Sequence, residues 1–90
     1  GGVAAFKNYI AEHLKYPEES RKKKIQGRII IGLVVKENGD VDYVRVDKGL
    51  DSYCNDEAVR LVKSFKGWIP GTQKGVKKAV HWYALVDFKL

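Results

Sequence analysis

The spacing of apolar residues predicts two helices at the start of the chain. The first segment has apolar residues at steps of three and four, which is the repeat of an amphipathic helix. They are Val3, Phe6, Ile10 and Leu14. This helix must end by Tyr16, because Pro17 disfavours helical geometry in the residue before it. Pro17 suits the first position of a second, short helix, and the acidic pair Glu18-Glu19 favours the N-terminal end of its dipole.

A β-hairpin is predicted in the middle of the chain. Residues 28–36 are rich in β-branched side chains and apolar on both parities, which indicates a central strand covered on much of both faces. The pair Asn38-Gly39 follows, and both of its residues tolerate the positive φ that a tight hairpin turn requires. The returning strand is expected over residues 41–47, with Val44 and Val46 on its inward face.

A third helix is predicted to begin between Asp51 and Asn55, because apolar residues again recur there at helical spacing. Its buried stripe comprises Cys54, Ala58, Leu61, Val62 and Phe65. Gly67 and the pair Pro70-Gly71 are expected to end this helix.

Two expectations concern the segment that follows the third helix. Trp68 and Ile69 are expected to fold back onto the sheet. Residues 72–77 are polar and contain Gly75, so we expect them to form a loop.

The last segment, Val80 to Leu90, alternates with the period of two that is typical of a strand. One parity is wholly apolar and is expected to face the core: Val80, Trp82, Ala84, Val86, Phe88 and Leu90. The other parity is mostly polar and is expected to be exposed: His81, Tyr83, Leu85, Asp87 and Lys89. A long strand at a chain terminus tends to lie at a sheet edge, where its unpaired backbone groups can accept a partner peptide or a second copy of the chain.

Length and charge limit the possible functions. The 90 residues make one α+β domain, residues 1–90, and no apolar stretch approaches the ~20 residues needed to span a bilayer, so any membrane anchor is expected outside this fragment. The formal charge is +6, which favours nucleic acid, anionic lipid or acidic protein as a partner without choosing among them. The most basic run, residues 21–24, lies at the C-terminal end of the second helix, where cations are favourable.

No catalytic, metal or cofactor chemistry is indicated by the sequence, and the chain is not expected to be an enzyme. His13 and His81 are the only histidines, and neither has a Cys, Asp or Glu at metal-ligand spacing. No glycine-rich phosphate loop or nucleophile-elbow motif occurs. Cys54, the single cysteine, lies in an apolar helical stripe and is expected to be a buried core residue.

A resemblance to a known family rests on several short motifs in a fixed order. They are Tyr16-Pro17, Gln26-Gly27, Asn38-Gly39-Asp40-Val41, Asp56-Glu57-Ala58-Val59, Trp68-Ile69-Pro70-Gly71, Val80-His81-Trp82-Tyr83 and Phe88-Lys89-Leu90. Together they resemble the C-terminal domain of TonB-family energy transducers, from about Tyr16 to Leu90. Residues 1–15 look like an N-terminal helical extension. Ser20 and Cys54 depart from the family's pattern, but both are small or apolar enough for the same packing.

The resemblance implies a three-stranded antiparallel sheet with helices on one face. It also implies a periplasmic domain of an inner-membrane-anchored protein, coupled to motor proteins through regions absent from this chain. Such a domain binds the TonB-box segment of an outer-membrane transporter by strand addition. The residues assigned to that partner are His81, Trp82, Tyr83, Ala84, Leu85, Val86, Asp87 and Phe88. Tyr16 and Pro17 would form a neighbouring wall, and Arg21, Lys22 and Lys23 would contact acidic receptor surface.

Two other functions stay open at the level of sequence. A TonB-like tail of another membrane protein, such as a sensor or a peptidase, would bind an unrelated partner. A basic nucleic-acid-binding module would use Tyr43, Trp82 and Tyr83 to stack bases. The apolar parity on which Trp82 falls weighs against the second, and no nucleic acid partner is expected.

Overall fold

The structure, a computed structural model, describes residues 2–90, with side chains from residue 4 onward. Its elements are α1 (Gly2–His13), α2 (Glu18–Lys22), β1 (Gly27–Val35), β2 (Val41–Lys48), α3 (Ser52–Ser64), β3 (Gly71–Gln73), β4 (Val76–Lys78) and β5 (Val80–Phe88). The side chain of Val3, the first position of the predicted stripe in α1, lies outside the described residues. None of the three helices is long and apolar enough to cross a membrane.

Two short helices open the described chain, as the sequence predicts. Phe6 is buried, and Ile10 and Leu14, the residue after the end of α1, pack against the core. Pro17 is the N-cap of α2 rather than its first helical residue, because its ψ of 132° keeps it extended. Its position relative to α2 is therefore one residue earlier than predicted.

The main sheet has β1 in its centre, with antiparallel neighbours β2 and β5. The side chains of Ile29, Ile31, Leu33 and Val35 are buried on the helix side. The helix α3 lies against all three strands on that side, and α2 packs on α3. This arrangement confirms the predicted fold class and the central position of β1.

The second face of the sheet is covered in part, whereas the sequence predicts cover over much of both faces. Arg28 is exposed and Ile30 and Val34 are half-buried on this open face. Gly32 lies beneath the ion pair of Arg45 and Asp47, whose Nε and Oδ1 atoms are 2.9 Å apart. A Cβ at Gly32 would lie 2.7 Å from the guanidinium carbon of Arg45, so a larger residue would displace this pair.

The turn between β1 and β2 confirms the predicted hairpin but has three residues in its loop. The Lys36 amide donates to the Asp40 carbonyl (2.7 Å), and the Gly39 amide donates to the Lys36 carbonyl (2.9 Å). Within this turn only Gly39 has positive φ (88°), so the turn uses the tolerance of Gly39 for that conformation and not that of Asn38. The Asn38 side chain instead accepts a hydrogen bond from the Asp40 amide, which stabilises the turn.

The strand β2 is irregular, and this changes which of its side chains are buried. Its register against β1 shifts twice, once next to Tyr43, whose φ is 50°. Each extra residue in a bulge changes the simple alternation of the strand. Val44 packs against the core as predicted, but Val46 is 38% exposed and the prediction that it is buried is wrong.

The chain leaves α3 earlier than predicted. The helix ends at Ser64, and Phe65 is an extended C-cap residue, so the break comes before Gly67. Trp68 is buried as expected, but its ring packs against Phe6 and Phe65 and its indole N–H donates to the Val62 carbonyl (3.0 Å). Ile69 is 62% exposed, so its predicted return to the sheet is wrong.

Residues 71–78 form a second hairpin where the sequence predicts a polar loop. The strands β3 and β4 are antiparallel, and Lys74 and Gly75 form their two-residue turn with φ values of 52° and 78°. Two successive residues with positive φ match the right-handed twist of a hairpin. Neither short strand has apolar residues at alternate positions that become buried. Such an alternation is the signal from which a strand is predicted, so these two strands were not predictable.

The strand β5 buries part of its apolar parity. Ala84, Val86 and Phe88 are buried as predicted. Trp82 is 40% exposed and Leu90, beyond the end of the strand, is 54% exposed, so the prediction that both face the core is wrong. An edge strand is covered only where another element lies over it. The ring of Tyr16 covers Phe88, with 5.4 Å between centroids, whereas the ring of Trp82 at the other end keeps a large solvent-exposed area.

Candidate functional site

The outer edge of β5 is the candidate functional site. The strand pairs with β1 along its whole length, from Val80 opposite Val35 to Phe88 opposite Gly27, without a register shift. Within residues 2–90, no strand pairs with its other side. The molecule therefore presents one straight edge, nine residues long, with unpaired backbone groups.

The direction of each backbone group on β5 follows from the hairpin turn. Because the Lys36 amide and carbonyl both bond within the turn toward β2, the preceding residue, Val35, directs its groups toward β5. Backbone groups alternate in direction along a strand, so the odd-numbered residues of β1, from 27 to 35, form the hydrogen bonds with β5. Their partners are the even-numbered residues of β5. The N–H and C=O groups that point away from the sheet therefore belong to His81, Tyr83, Leu85 and Asp87.

Apolar side chains flank this edge on both faces of the sheet. Tyr83 and Leu85 lie on the open face, where they are 56% and 43% exposed. Trp82 lies on the helix face at the same end of the strand. A strand added to β5 would bring its own side chains beside these three, since cross-strand neighbours lie about 5 Å apart.

Asp87 is engaged by Arg28, the residue opposite it in the register. The Arg28 Nε and Nη2 atoms donate to the two carboxylate oxygens at 2.7 and 3.2 Å. These hydrogen bonds lower the pKa of Asp87 from its ordinary value and raise that of Arg28. Both side chains are more than half exposed, so the pair stabilises the fold only slightly, but it fixes the register at this end of the strand.

Tyr16 lies beside the C-terminal end of β5, and Pro17 follows it as the N-cap of α2. The Tyr16 ring meets Phe88 edge-on at 88°, and its hydroxyl donates to the Ile25 carbonyl. Tyr16 and Pro17 are both half-buried. The structure therefore brings Tyr16 next to the predicted site, at the end of the strand and on the helix side.

The basic residues assigned from the resemblance lie elsewhere. Arg21 and Lys22 are exposed on α2, and Lys23 follows as its C-cap. The main packing partner of α2 is α3, not β5. Lys22 forms an exposed ion pair with Glu19, with 3.8 Å between Nζ and Oε1.

Cys54 has a structural role, as the sequence predicts. It is buried, and desolvation by burial raises the pKa of its thiol, which keeps it protonated near neutral pH. Its backbone N–H donates to Asp51 at the start of α3. The described residues contain no group of three or more His, Cys, Asp or Glu side chains that could hold a metal ion.

The sequence pattern does not identify three further neighbours of this edge, which are Lys74, Lys77 and Lys78. The hairpin that carries them ends two residues before β5 begins. The pair Lys74-Gly75 forms the turn of this hairpin. Lysine is less typical than Asn, Asp or Gly at the first position of such a turn, so the pair is a weak signal in the sequence. The alternating apolar pattern that identifies the other strands is also absent here.

These features define a small α+β domain that ends in a long edge strand. The chain belongs to the family of the Gram-negative bacterial TonB protein C-terminal, whose model matches residues 12–90. This confirms the family suggested by the sequence motifs. The family is transport-related and non-enzymatic, and in TonB proteins this domain is periplasmic.

Two NMR solution structures of the Helicobacter pylori TonB C-terminal domain are similar to this chain. The longer one is 20% identical with a TM-score of 0.74, over 94% of this chain and 77% of that one. The shorter one is 18% identical with a TM-score of 0.75, over 99% of this chain and 94% of that one. At these identities the likeness establishes the shared fold. No curated protein sequence matches the chain.

Proposed function

We propose that this domain binds the TonB-box segment of an outer-membrane TonB-dependent transporter by adding it as a strand to the outer edge of β5. The observation that carries the proposal is the unpaired edge itself, with outward backbone groups at His81, Tyr83, Leu85 and Asp87. Membership of the TonB C-terminal family supports the choice of partner.

The energetics of such an edge suit a reversible grip. Four outward residues offer up to eight main-chain hydrogen bonds, each with a net contribution of about 0.5–1.5 kcal/mol. Association and ordering of the peptide cost several kcal/mol, so the main-chain bonds alone give weak binding, and contacts with the exposed side chains beside the edge are needed to reach an affinity on the order of micromolar. A domain that engages and releases transporters in turn needs an affinity of this order.

The residues of β5 divide into two groups under this proposal. Ala84, Val86 and Phe88 are buried and hold the strand against the core, so they act on the partner by fixing the edge. Trp82, Tyr83 and Leu85 are exposed and contact the side chains of the added strand. Main-chain pairing distinguishes sequences weakly, so these three side chains supply most of the selectivity.

The domain would perform one step of a longer process. The protein that carries it would be anchored in the inner membrane and coupled to motor proteins that use the proton-motive force, through regions outside this chain. A pull on the bound segment would then be transmitted along β5 to β1, because the two strands are paired over nine residues. Such a shear geometry loads many hydrogen bonds together, which suits force transmission.

A titration with peptides that span a TonB box tests this function. We expect amide chemical-shift changes in the 15N-labelled domain to concentrate on residues 81–88. The matched control is the same peptide with alternate backbone nitrogens methylated, which keeps its side chains but removes N–H donors along one edge, and we expect it to bind at least tenfold more weakly. Shift changes centred on the Gly39 turn, or equal binding of the methylated peptide, would contradict strand addition.

A further inference from the structure

The β3–β4 hairpin projects from the domain without support from the core. Every residue from Thr72 to Ala79 is exposed, and Val76 is 57% exposed. The two strands pair with each other and form a sheet separate from the main one. An isolated two-stranded hairpin is at best marginally stable in water, so this one contributes little to the stability of the fold. Its side chains are available to a partner.

The positive charge of the chain is concentrated around this hairpin. Residues 58–86 contain six Lys and Arg residues and no Asp or Glu, while the rest of the chain has eleven of each, so the whole net charge of +6 lies in that segment. Lys63 and Lys66 share a shallow depression with Asp40 and Asp42. The hairpin lysines, Lys74, Lys77 and Lys78, have no carboxylate within 4 Å among the described residues.

The hairpin continues the line of the β5 edge. Lys78 precedes Val80 by two residues, and a Cβ at Gly71 would lie 3.4 Å from the Cβ of Val80, so β3 begins beside the start of β5. The segment that leads into β3 passes the turn between β1 and β2, since a Cβ at Gly39 would lie 3.4 Å from the Trp68 carbonyl. The strand β3 therefore lies on the same side of the β4–β5 segment as β1.

The outward side of β4 is then continuous with the outer edge of β5. A two-residue turn makes its flanking residues, Gln73 and Val76, a hydrogen-bonded pair, and the same holds two residues further on for Gly71 and Lys78. Lys77 directs its backbone groups away from β3. They point to the same side as those of His81, so a strand bound along β5 would reach the hairpin at one end.

We propose that Lys74, Lys77 and Lys78 form an anion-binding extension of the β5 edge, and that the partner strand carries acidic residues at the end that lies beside them. This inference rests on the proposed strand addition and specifies the chemistry of the partner segment. Carboxylates beyond the paired residues would meet unbalanced ammonium groups, which raises the association rate and selects acidic partners over neutral ones.

Synthetic peptides test this inference directly. Each has the core Thr-Val-Thr-Val-Thr, with three Glu residues added at its N-terminal or its C-terminal end, and matched peptides have Gln in place of Glu. Because the direction of the added strand decides which end meets the hairpin, we expect one of the two Glu peptides to bind about three- to tenfold more tightly than its Gln counterpart at low salt. At about 0.5 M NaCl we expect the difference to fall below about twofold, because the charges are exposed and screened.

Two variants of the domain locate the effect. In Lys77→Gln/Lys78→Gln, the preferred Glu peptide should lose its advantage while the affinity of the Gln peptides is unchanged. Lys24→Gln/Lys48→Gln removes the same charge from the segment after α2 and from the end of β2, and it should retain the advantage. All four substitutions are at exposed positions, so folding should be unaffected.

The outcomes separate the inference from the function on which it rests. If no peptide shifts the amides of residues 81–88, strand addition itself is wrong. If Glu and Gln peptides shift them with equal affinity, strand addition stands and the acidic partner is wrong. If both double variants act alike, strand addition stands and the assignment of the anion-binding site to the hairpin lysines is wrong. A further outcome would identify a membrane as the partner of the hairpin and overturn the inference. In that outcome, phosphatidylglycerol vesicles bind the domain, the Lys77→Gln/Lys78→Gln variant no longer binds them, and the Glu or Gln flank has no effect on peptide affinity.

Discussion

Asp51 connects two helices through a single carboxylate. One of its oxygens accepts the Cys54 amide (2.8 Å) and caps α3, while the other accepts the hydroxyl of Ser20 (2.6 Å), which is fully buried on α2. The hydrogen bond from Ser20 is the main reason that the pKa of Asp51 is lowered from its ordinary value. This side chain therefore joins local helix capping to the packing of α2 on α3.

Replacement of Asp51 should destabilise the domain in a pH-dependent manner. We expect Asp51→Ala to lower the free energy of unfolding by about 1–2 kcal/mol near pH 7, through loss of the cap and of the acceptor for Ser20. Because the folded-state pKa is lower than the unfolded one, this contribution is present above about pH 4 and is lost as the pH falls through the folded value. Urea unfolding at about pH 7 and about pH 2.5 measures the difference.

The control for this prediction is Asp51→Asn. Asparagine caps helices nearly as well as aspartate but does not titrate, so its cost near pH 7 should be the smaller of the two. A difference between wild type and Asp51→Ala that is the same at both pH values would contradict the account.

Phe88 and Trp82 both belong to the even-numbered residues of β5, on the helix face of the sheet, but their environments differ. Phe88 is 1% exposed and Trp82 is 40% exposed. We expect Phe88→Ala to cost about 3–5 kcal/mol of unfolding free energy and Trp82→Ala about 1 kcal/mol or less. Denaturant titration of both variants checks this, and equal costs would show that the ring of Trp82 is in the core. Peptide affinity should fall in Trp82→Ala, since its exposed ring flanks the edge.

At the scale of elements, regular segments were predictable and their interruptions were not. The apolar stripes of α1 and α3 and the alternation of β5 identified Phe6, Leu61 and Val86 as core residues, because burial of these side chains follows from the period of each element. The bulge at Tyr43 shifted the register of β2, and nothing in the local sequence marks that position. Exposure of Trp82 depends on which elements lie over an edge strand, which is a property of the tertiary structure.

The candidate edge was predictable for a similar reason. A terminal strand has a high chance of lying at an edge, so its general position followed from the order of elements. The outward backbone groups could not be assigned from sequence, because that assignment depends on the hydrogen bonds of Lys36 in the turn between β1 and β2. The pairing of β3 with β4 also escaped prediction, since neither strand has a buried face.

Proline substitutions in β5 should separate binding from folding. The Leu85 amide points outward, so Leu85→Pro should leave the domain folded and abolish peptide binding through loss of one donor and obstruction of the added strand. The Ala84 amide points to β1, so Ala84→Pro removes a ladder hydrogen bond in the sheet and should unfold the domain. Circular dichroism and peptide titration test both variants. Reversed behaviour of the two would show that the outward groups are on the even-numbered residues.

At the scale of the whole molecule, α1 completes the core of the domain. The family match begins at residue 12, near the end of α1. Yet Phe6 is 4% exposed, with ring centroids 5.3 Å from Phe65 and 4.8 Å from Trp68. The Tyr9 hydroxyl also bonds to that of Ser64 (2.7 Å). The helix closes the space between the end of α3 and the segment that leads into β3.

Removal of the Phe6 ring should therefore destabilise the whole domain. We expect Phe6→Ala to lower the free energy of unfolding by about 3–5 kcal/mol, because it leaves a cavity against Phe65 and Trp68. The neighbouring exposed residue gives the control, since Lys7→Ala should change stability by less than about 0.5 kcal/mol. Thermal unfolding followed by tryptophan fluorescence compares them. A Phe6→Ala variant as stable as the control would mean that α1 is only an appended extension.

The central claim is that one edge of β5 is free and becomes paired when a partner strand binds. Amide hydrogen exchange, measured residue by residue in dilute solution so that copies of the chain do not pair, tests it most directly. In the free domain, we expect the amides of His81, Tyr83, Leu85 and Asp87 to exchange rapidly while those of the even-numbered residues 82–88 are protected. With a saturating TonB-box peptide, at least two of the four outward amides should become protected. Protection of all four in the free domain, or no gain in protection on binding, would contradict the account.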